Sequence, residues 1–183
     1  MDENSQIGHK YYFALTLRNA AIHLPTIVDN LLRVIYHLGE QNIFMSIYEG
    51  GSTDDGHTTA MLEVIQTTLE AIGIEHEILI RPEVGDPRND VLLPLKRMYR
   101  KGGRVFQTVV MMGDDLWCAE ELLELLFHSR GQAASITCSN DVRNTVFCLT
   151  LTSTNVRMMS FLYLQAMTSM ANSSARLFLL KVF

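Results

Sequence analysis

The chain has 183 residues, which predicts one domain with a sizeable core rather than two domains. Hydrophobic residues make up 48% and charged residues 19%, a balance that excludes a mainly disordered chain. The formal net charge of −5 argues against a nucleic-acid binder with a broad basic face, because such binding neutralises phosphates. The three cysteines show no Cys-x-x-Cys spacing, which argues against a zinc site and a disulfide framework.

The first half of the chain alternates between strand and helix patterns. An apolar run at residues 11–17 predicts a strand, and apolar residues at helical spacing predict a helix after Pro25 that stops before Gly39. The order then repeats as a strand at residues 43–48 and a helix that ends at Gly73.

The alternation continues in the second half. The sequence predicts a strand at residues 78–80, a helix at 91–100, a strand at 108–112, a helix at 119–128 and a short strand at 134–137. Strands that alternate with helices indicate an α/β fold, with a mainly parallel sheet flanked by helices. Ligands of such folds bind beyond the carboxyl ends of the strands. This rule nominates the loops at residues 18–19, 49–57, 81–90 and 113–115.

The composition changes sharply at residue 141. All 20 acidic residues lie at or before Asp141, and residues 142–183 are rich in Ser, Thr, Met and Leu. We therefore expect a disordered tail at residues 1–9, a folded domain at 10–141 and a divergent tail at 142–183. The last segment is either an authentic element, with a helix around residues 158–167, or a mis-spliced or frameshifted end.

Two of the nominated loops carry carboxylates. In the loop that begins at Tyr48 and Glu49, glycines allow close backbone approach, and the acidic side chains could hold a ribose or a base edge. The alternative is a polar turn whose Ser, Thr and Asp side chains cap the next helix. Asp114 and Asp115 follow an apolar strand and would suit Mg²⁺ or Mn²⁺ on a diphosphate. Alternatively, these two residues only shape a turn and begin the next helix.

The loop after the third predicted strand carries the basic residues Arg81, Arg88 and Lys96. Arginine guanidinium groups pair well with phosphates, so these residues could meet a diphosphate. Exposed surface charge is the alternative, and it is favoured for Lys96.

Residues 46–54, Ser-Ile-Tyr-Glu-Gly-Gly-Ser-Thr-Asp, resemble the Ser-Ile-Tyr-Glu-Ser-Gly-Ser-x-Asp loop of the fungal capsule-associated α-1,3-mannosyltransferases, a family typified by the cryptococcal enzyme. Further motifs of that family follow in the same order. Arg88-Asn89 and Pro94-Leu95 are similar to its Arg-Asn and Pro-Leu helix, and residues 114–126 are similar to its acidic strand end and Leu-rich helix. Leu17-Arg18-Asn19 and Cys138-x-x-Asp141 also look like family positions. The resemblance covers residues 11–141, most of the chain.

The resemblance implies a Rossmann-like A-type glycosyltransferase domain, truncated at its C-terminal side. It also implies a GDP-mannose donor, Mn²⁺ or Mg²⁺ as cofactor, and transfer of mannose to a hydroxyl of a glycan acceptor. By the same resemblance, the residues that line the nucleotide-sugar pocket are Arg18, Tyr48, Glu49, Ser52, Asp54, Arg88 and Asp141. Arg88 would face the diphosphate and Asp141 the sugar, while Asp114, with Asp115, would hold the metal.

Two glycines depart from the family pattern. Gly50 stands where the family usually has Ser, and Gly113 stands where it usually has Asn before the aspartate of the expected metal site. The family also has a downstream aromatic and acidic segment that residues 142–183 do not resemble. An inactive relative, which binds a nucleotide-sugar at most and does not turn it over, is therefore the alternative function.

The resemblance also implies a location. Family members are expected to be membrane-anchored in the lumen of the Golgi or of another secretory compartment. The sequence shows no signal peptide and no membrane span, so a complete chain is expected to be cytoplasmic.

Overall fold

The computed structural model describes residues 8–81, 86–131, 136–138 and 177–181, with side chains for 8–81 and 86–129. The strands are β1 (Tyr11–Leu17), β2 (Ile43–Gly50), β3 (Glu75–Arg81), β4 (Thr108–Met112), β5 (Ile136–Cys138) and β6 (Leu177–Lys181). The helices are α1 (Leu24–Leu38), α2 (His57–Ala71), α3 (Pro87–Asp90), α4 (Leu93–Arg100) and α5 (Ala119–Gly131). In the part of the chain described, no helix combines the length and the apolar character that crossing a membrane requires.

The strands form one sheet in the order β3-β2-β1-β4-β6-β5. The four strands β3, β2, β1 and β4 are parallel to one another, whereas β6 runs antiparallel to β4 and β5. The prediction of a mainly parallel α/β sheet is therefore confirmed. Strand β6 was not predicted, because it lies in the segment at residues 142–183 that was expected to be divergent, and its partners are forty or more residues away in the sequence.

Side chains of the central strands alternate between two buried layers. On one face, Phe13 and Leu15 of β1 pack with Met45 of β2 against α1, α2 and α5. On the other face, Tyr12 of β1 and Phe44 of β2 pack against the crossover that carries α3 and α4. A sheet covered on both faces explains why β1 and β4 read as nearly continuous apolar runs.

The chain order places a crevice between β1 and β4. From β1 the chain moves to β2 and β3 on one side, then crosses over to β4 on the other side of β1. Such a reversal of strand order leaves a gap beyond the carboxyl ends of the two strands, where ligands bind in open α/β sheets. We call the segments that border it the β1 loop (residues 18–23), the β2 loop (51–56) and the β4 loop (113–118).

Several predicted boundaries were wrong by a few residues. Strand β3 begins at Glu75 rather than at residue 78, because it is an edge strand whose first residues are polar and only partly buried. The helix predicted at 91–100 begins at Leu93, after the separate short helix α3, and Pro94 lies in its first turn, where the missing N–H costs nothing. Strand β5 begins at Ile136, and residues 134–135 lie outside the described residues.

The predicted domain boundaries stay predictions. Of the predicted tail at residues 1–9, only Gly8 and His9 belong to the described chain, and the His9 ring hydrogen-bonds the Thr108 hydroxyl at 2.7 Å. The helix expected around residues 158–167 and the boundary at Asp141 lie outside the described residues.

Candidate functional site

Asn19 joins the β1 loop to the β2 loop. Its backbone N–H donates to the Ser52 hydroxyl at 2.8 Å, and its side-chain oxygen accepts from the Thr53 backbone N–H at 2.7 Å. Asn19 has a φ of 51°, a left-handed conformation that Asn tolerates better than most residues. The two loops, thirty-odd residues apart in sequence, are thus held together at the crevice.

Thr58, in the first turn of α2, makes a second connection between the same loops. Its buried hydroxyl accepts from the backbone N–H groups of Ala20 at 2.9 Å and Ala21 at 3.1 Å, and it donates to Oδ2 of Asp54. The same Asp54 oxygen accepts from the Thr58 backbone N–H at 3.1 Å. Asp54 therefore caps α2 and, through Thr58, fixes the β1 loop. Its other oxygen, Oδ1, is buried without a partner among the described residues.

Glu49, the next-to-last residue of β2, closes the β2 loop. Its side chain is 2% exposed, and its Oε1 accepts from the Ser52 backbone N–H at 2.6 Å. A buried carboxylate is costly unless it is hydrogen-bonded, so this contact both satisfies Glu49 and fixes the start of the loop. Ser52 is therefore held by Glu49 from β2 and by Asn19 from the β1 loop.

Tyr48 lies on the opposite face of the sheet from Glu49. Its side chain is 1% exposed, and this burial raises the pKa of its phenol. The charge of Asp90 and the hydrogen bond with the Asp90 carboxylate raise the pKa further. Tyr48 is therefore a neutral donor that ties the end of β2 to α3. A Cβ atom on Gly50 would lie 3.0 Å from Cε1 of Tyr48, so the ring occupies the space that a Ser at this position would need.

The hydroxyls of Tyr12 and Ser46 fix the crossover after α3. The hydroxyls of Tyr12 and Ser46 each donate to the Val91 carbonyl oxygen at 2.7 Å, and burial raises the pKa of Tyr12. Ser46 belongs to the family-like motif at residues 46–54. It thus acts on the structure through the crossover rather than through the crevice.

Arg18 and Arg88 are both exposed, the first in the β1 loop and the second in α3. Asp86 caps α3: its Oδ1 accepts from the Arg88 backbone N–H at 3.1 Å, and its Oδ2 accepts from the Asn89 side-chain amide at 2.9 Å. Pro87 of α3 lies 3.9 Å from a Cβ built on Gly50, so α3 contacts the carboxyl end of β2. The structure therefore brings Arg88 to the end of the strand that precedes the β2 loop.

Asp114 and Asp115 lie half-buried in the β4 loop, directly after β4. The Thr16 hydroxyl, near the end of β1, donates to the Met112 carbonyl oxygen at 3.3 Å, which holds the start of the β4 loop beside β1. Trp117 is buried at the other end of the loop. The acidic pair is thus displayed between two anchored points on the β4 side of the crevice.

The two carboxylates of the β4 loop fit a divalent cation whose other ligands are substrate phosphates and water. Within residues 8–81 and 86–129, whose side chains are described, no group of three or more His, Cys, Asp or Glu side chains could hold a metal ion. Mg²⁺ in nucleotide enzymes is commonly bound by one or two carboxylates together with substrate phosphates and water. Asp114 and Asp115 supply that number of carboxylates, whereas a closed cage built by the protein alone is not present in these ranges.

The structure joins some of the predicted site residues and separates others. Ser52, Asp54 and Glu49 form one hydrogen-bonded unit with the β1 loop that carries Arg18. Tyr48 is buried on the other face, and Asp141 lies outside the described residues.

Sequence reasoning missed the roles of Thr58 and of Asn30, a buried residue of α1. For Asn30 a signal existed, since a polar residue stands at a core position of an otherwise apolar helical stripe. For Thr58 the available signal was its position four residues after Asp54, at the start of a predicted helix.

Comparison with known proteins agrees with this fold. The protein-family model described as "Cryptococcal mannosyltransferase 1" matches residues 10–177. No curated protein matched the sequence.

Among solved structures, the chain is similar to the crystal structure of S. aureus TarS 1-349. The TM-score is 0.50 at 12% identity, over 69% of this chain and 34% of that one. The same segment of TarS in complex with UDP aligns with a TM-score of 0.49 at 13% identity, over 69% of this chain and 34% of that one. The chain thus spans about a third of the length of the TarS structures, and at this identity the first likeness concerns the fold alone. That fold is the Rossmann-like A-type glycosyltransferase arrangement.

Proposed function

Because this chain belongs to the cryptococcal mannosyltransferase 1 family, we propose that it transfers mannose from GDP-mannose to a hydroxyl of a glycan, with a divalent metal as cofactor. The family match supports a glycosyltransferase, and the fold is compatible with one. The donor, the metal and the acceptor are the proposal.

One structural observation supports the proposal above the others. The β1 and β2 loops are joined by the bond of Asn19 with Ser52 and by the Thr58 hydroxyl, which bonds both Ala20 and Asp54, and the acidic β4 loop borders the same crevice. A nucleotide-sugar needs a fixed pocket for its nucleoside and a charged region for its diphosphate. In this proposal the joined loops would form the first, and the β4 loop with the exposed arginines would form the second.

Each group has a distinct role in the proposed transfer. The guanidinium groups of Arg18 and Arg88 would offset the charge of the diphosphate as the bond to mannose breaks. Asp114 and Asp115 would hold the divalent metal, which supplies Lewis-acid stabilisation of the departing nucleoside diphosphate. Asp141 would contact the sugar. We assign no general base.

The remaining parts of the proposal rest on the family alone. The acceptor would be a glycan, and the site of action would be the lumen of the Golgi or of another secretory compartment. An inactive relative that binds the donor without turning it over is the competing function, so binding and turnover must be measured separately.

Calorimetric titration of the purified chain tests the donor site. The ligands are GDP, GDP-mannose and UDP, each with and without Mn²⁺. We expect GDP and GDP-mannose to bind more tightly with Mn²⁺ than without it, and UDP to bind more weakly than GDP. In an Asp114→Ala variant the gain from Mn²⁺ should disappear.

Asp29→Ala is the matched control, because Asp29 is an exposed aspartate on α1 that pairs with Arg33 away from the crevice. It should bind like the wild type. If the wild type binds none of the nucleotides in any condition, the donor site is refuted. If it binds GDP-mannose but releases no GDP with any mannoside acceptor, the competing function is correct.

A further inference from the structure

The β4 loop is anchored by a buried amide from a distant helix. The Asn30 side chain of α1 donates through Nδ2 to the Trp117 carbonyl oxygen at 2.7 Å and accepts through Oδ1 from the Ala119 backbone N–H at 3.3 Å. Both of its polar ends are therefore used on one short segment of backbone, nearly ninety residues away in the sequence.

These two hydrogen bonds satisfy backbone groups at and just before the start of α5. Ala119 begins α5, and the first N–H groups of a helix have no partner within the helix. Ala119 and Trp117 are both buried, so water cannot easily take the place of Asn30. Asn30 caps α5 from outside that helix and at the same time holds the last turn of the β4 loop.

An asparagine at position 30 lowers the stability of helix α1 itself, because it places a polar amide on the buried face of the helix. The buried residues of α1 are otherwise apolar, among them Ile27, Leu31 and Val34. An unpaired amide in such a place costs free energy, and a leucine would fill the same volume with better helix propensity. The benefit of an amide here lies in the segment that it holds.

We propose that Asn30 is the positioning residue for the acidic pair Asp114–Asp115. The β4 loop is held at its start by Thr16, which bonds the Met112 carbonyl, and at its end by Asn30. Asp114 and Asp115 lie between these anchors in the sequence, so the position of their backbone depends on both. The role of Asn30 in binding rests on the proposed function, because it acts through the metal and the donor diphosphate.

The test compares Asn30→Leu, which removes both hydrogen bonds, and Asn30→Asp, which keeps an acceptor for Ala119 but loses the donor to Trp117. Trp117 is the single tryptophan of the chain, so its fluorescence reports on this segment directly. In both variants we expect emission at longer wavelength and amide exchange at residues 117–119 faster by about tenfold or more, as the loss of a net hydrogen bond implies. Exchange in the β2 loop should not change.

Binding separates a positioning role from a general loss of stability. The affinity for GDP with Mn²⁺ should fall about tenfold in the Asn30 variants, the equivalent of one net hydrogen bond, while the affinity for GDP alone stays unchanged. Ile65→Ala, a core truncation in α2, is the control: it lowers stability but should leave Trp117 emission and the effect of Mn²⁺ as in the wild type.

Each outcome decides one claim. Unchanged exchange and emission in a folded Asn30→Asp protein would overturn the anchor. Faster exchange with an unchanged effect of Mn²⁺ would overturn the positioning role while the proposed function stands. A wild type that binds no GDP with Mn²⁺ would sink the proposed function, and with it the role of Asn30 in binding.

Discussion

The hydroxyl of Thr58 donates to the carboxylate of Asp54 while it accepts from two backbone N–H groups of the β1 loop. A hydroxyl has one donor and two acceptor sites, so all of its hydrogen-bonding capacity is used. Loss of this one hydroxyl would remove the bonds that join Thr58 to the β1 loop, while the bonds of Asn19 to Ser52 and Thr53 would remain.

Replacing Thr58 with Val keeps the shape of the side chain but removes the hydroxyl. The backbone N–H groups of Ala20 and Ala21 would then be left without that acceptor, so the free energy of unfolding should fall by about 1–3 kcal/mol. Urea unfolding measures this change. Thr67→Val makes the same chemical change at an exposed position of α2 and should cost at most about 0.5 kcal/mol. Equal losses in the two variants would contradict the junction.

Asn19 combines a left-handed backbone with hydrogen bonds to Ser52 and Thr53, and substitution can separate the backbone contribution from the hydrogen-bond contribution. Asn19→Ala should lower the free energy of unfolding by about 2 kcal/mol, from backbone strain and from the lost bond to Thr53. Asp55 also has a positive φ of 52°, so Asp55→Ala reports the backbone cost alone, about 1 kcal/mol. Asn19→Asp keeps the acceptor and should cost least. Chemical denaturation of the three variants should give this order, and a cost no larger for Asn19→Ala than for Asp55→Ala would contradict it.

Because the Tyr48 phenol is buried, we expect the free energy of unfolding to fall at alkaline pH. The pKa of its phenol is raised in the folded protein above the unfolded value of 10.0, so the folded state holds the proton more tightly. This contribution is fully present below pH 10.0 and is lost as the pH rises through the folded pKa. Tyr48→Phe should flatten the fall in unfolding free energy above pH 10.0, by up to about 1.4 kcal/mol per pH unit.

Urea unfolding at a series of pH values measures the Tyr48 effect. Tyr36→Phe serves as the control, because that side chain is 85% exposed and its hydroxyl is hydrated in the folded and unfolded states alike. The same flattening in both variants would show that burial of Tyr48 is not its cause.

A side chain at position 50, such as the Ser of the family motif, is expected to clash with Tyr48. A Cβ at this position would lie 3.0 Å from the Tyr48 ring, so Gly50→Ala should destabilise the protein by about 1–3 kcal/mol. The cost should shrink when Tyr48 is also replaced with Leu, and a double-mutant cycle should give a coupling of at least about 0.5 kcal/mol. At Gly113 the nearest atom to a built Cβ is 3.9 Å away, so Gly113→Ala should cost little. Additive effects at positions 48 and 50 would contradict the contact.

How much of the molecule can be predicted from sequence depends on how local the signal is. Strands β1 and β4 were predicted at their observed bounds, because apolar runs buried on both faces are visible in the sequence itself. The start of β3 and the whole of β6 were not, because edge position and antiparallel pairing are decided by distant partners.

The candidate site follows the same division. The carboxylates of the β2 and β4 loops could be found as motifs that follow strands. The bond from Asn19 to Ser52 and that from Asn30 to Trp117 could not, since no spacing in the sequence links their partners. Likewise, the alternation of faces that buries Tyr48 yet turns Glu49 toward the loop depends on which face of the sheet receives α3.

Paramagnetic broadening of amide signals by Mn²⁺ in the presence of GDP tests the central claim most directly, because it shows where the metal and the nucleotide bind. The account predicts that signals of residues 113–116 and 51–54 broaden first, that signals at the start of β3 stay sharp, and that Asp114→Asn abolishes the pattern while Asp29→Asn preserves it. Broadening elsewhere in the domain, or an unchanged pattern in the Asp114 variant, would contradict a donor site between the β2 and β4 loops.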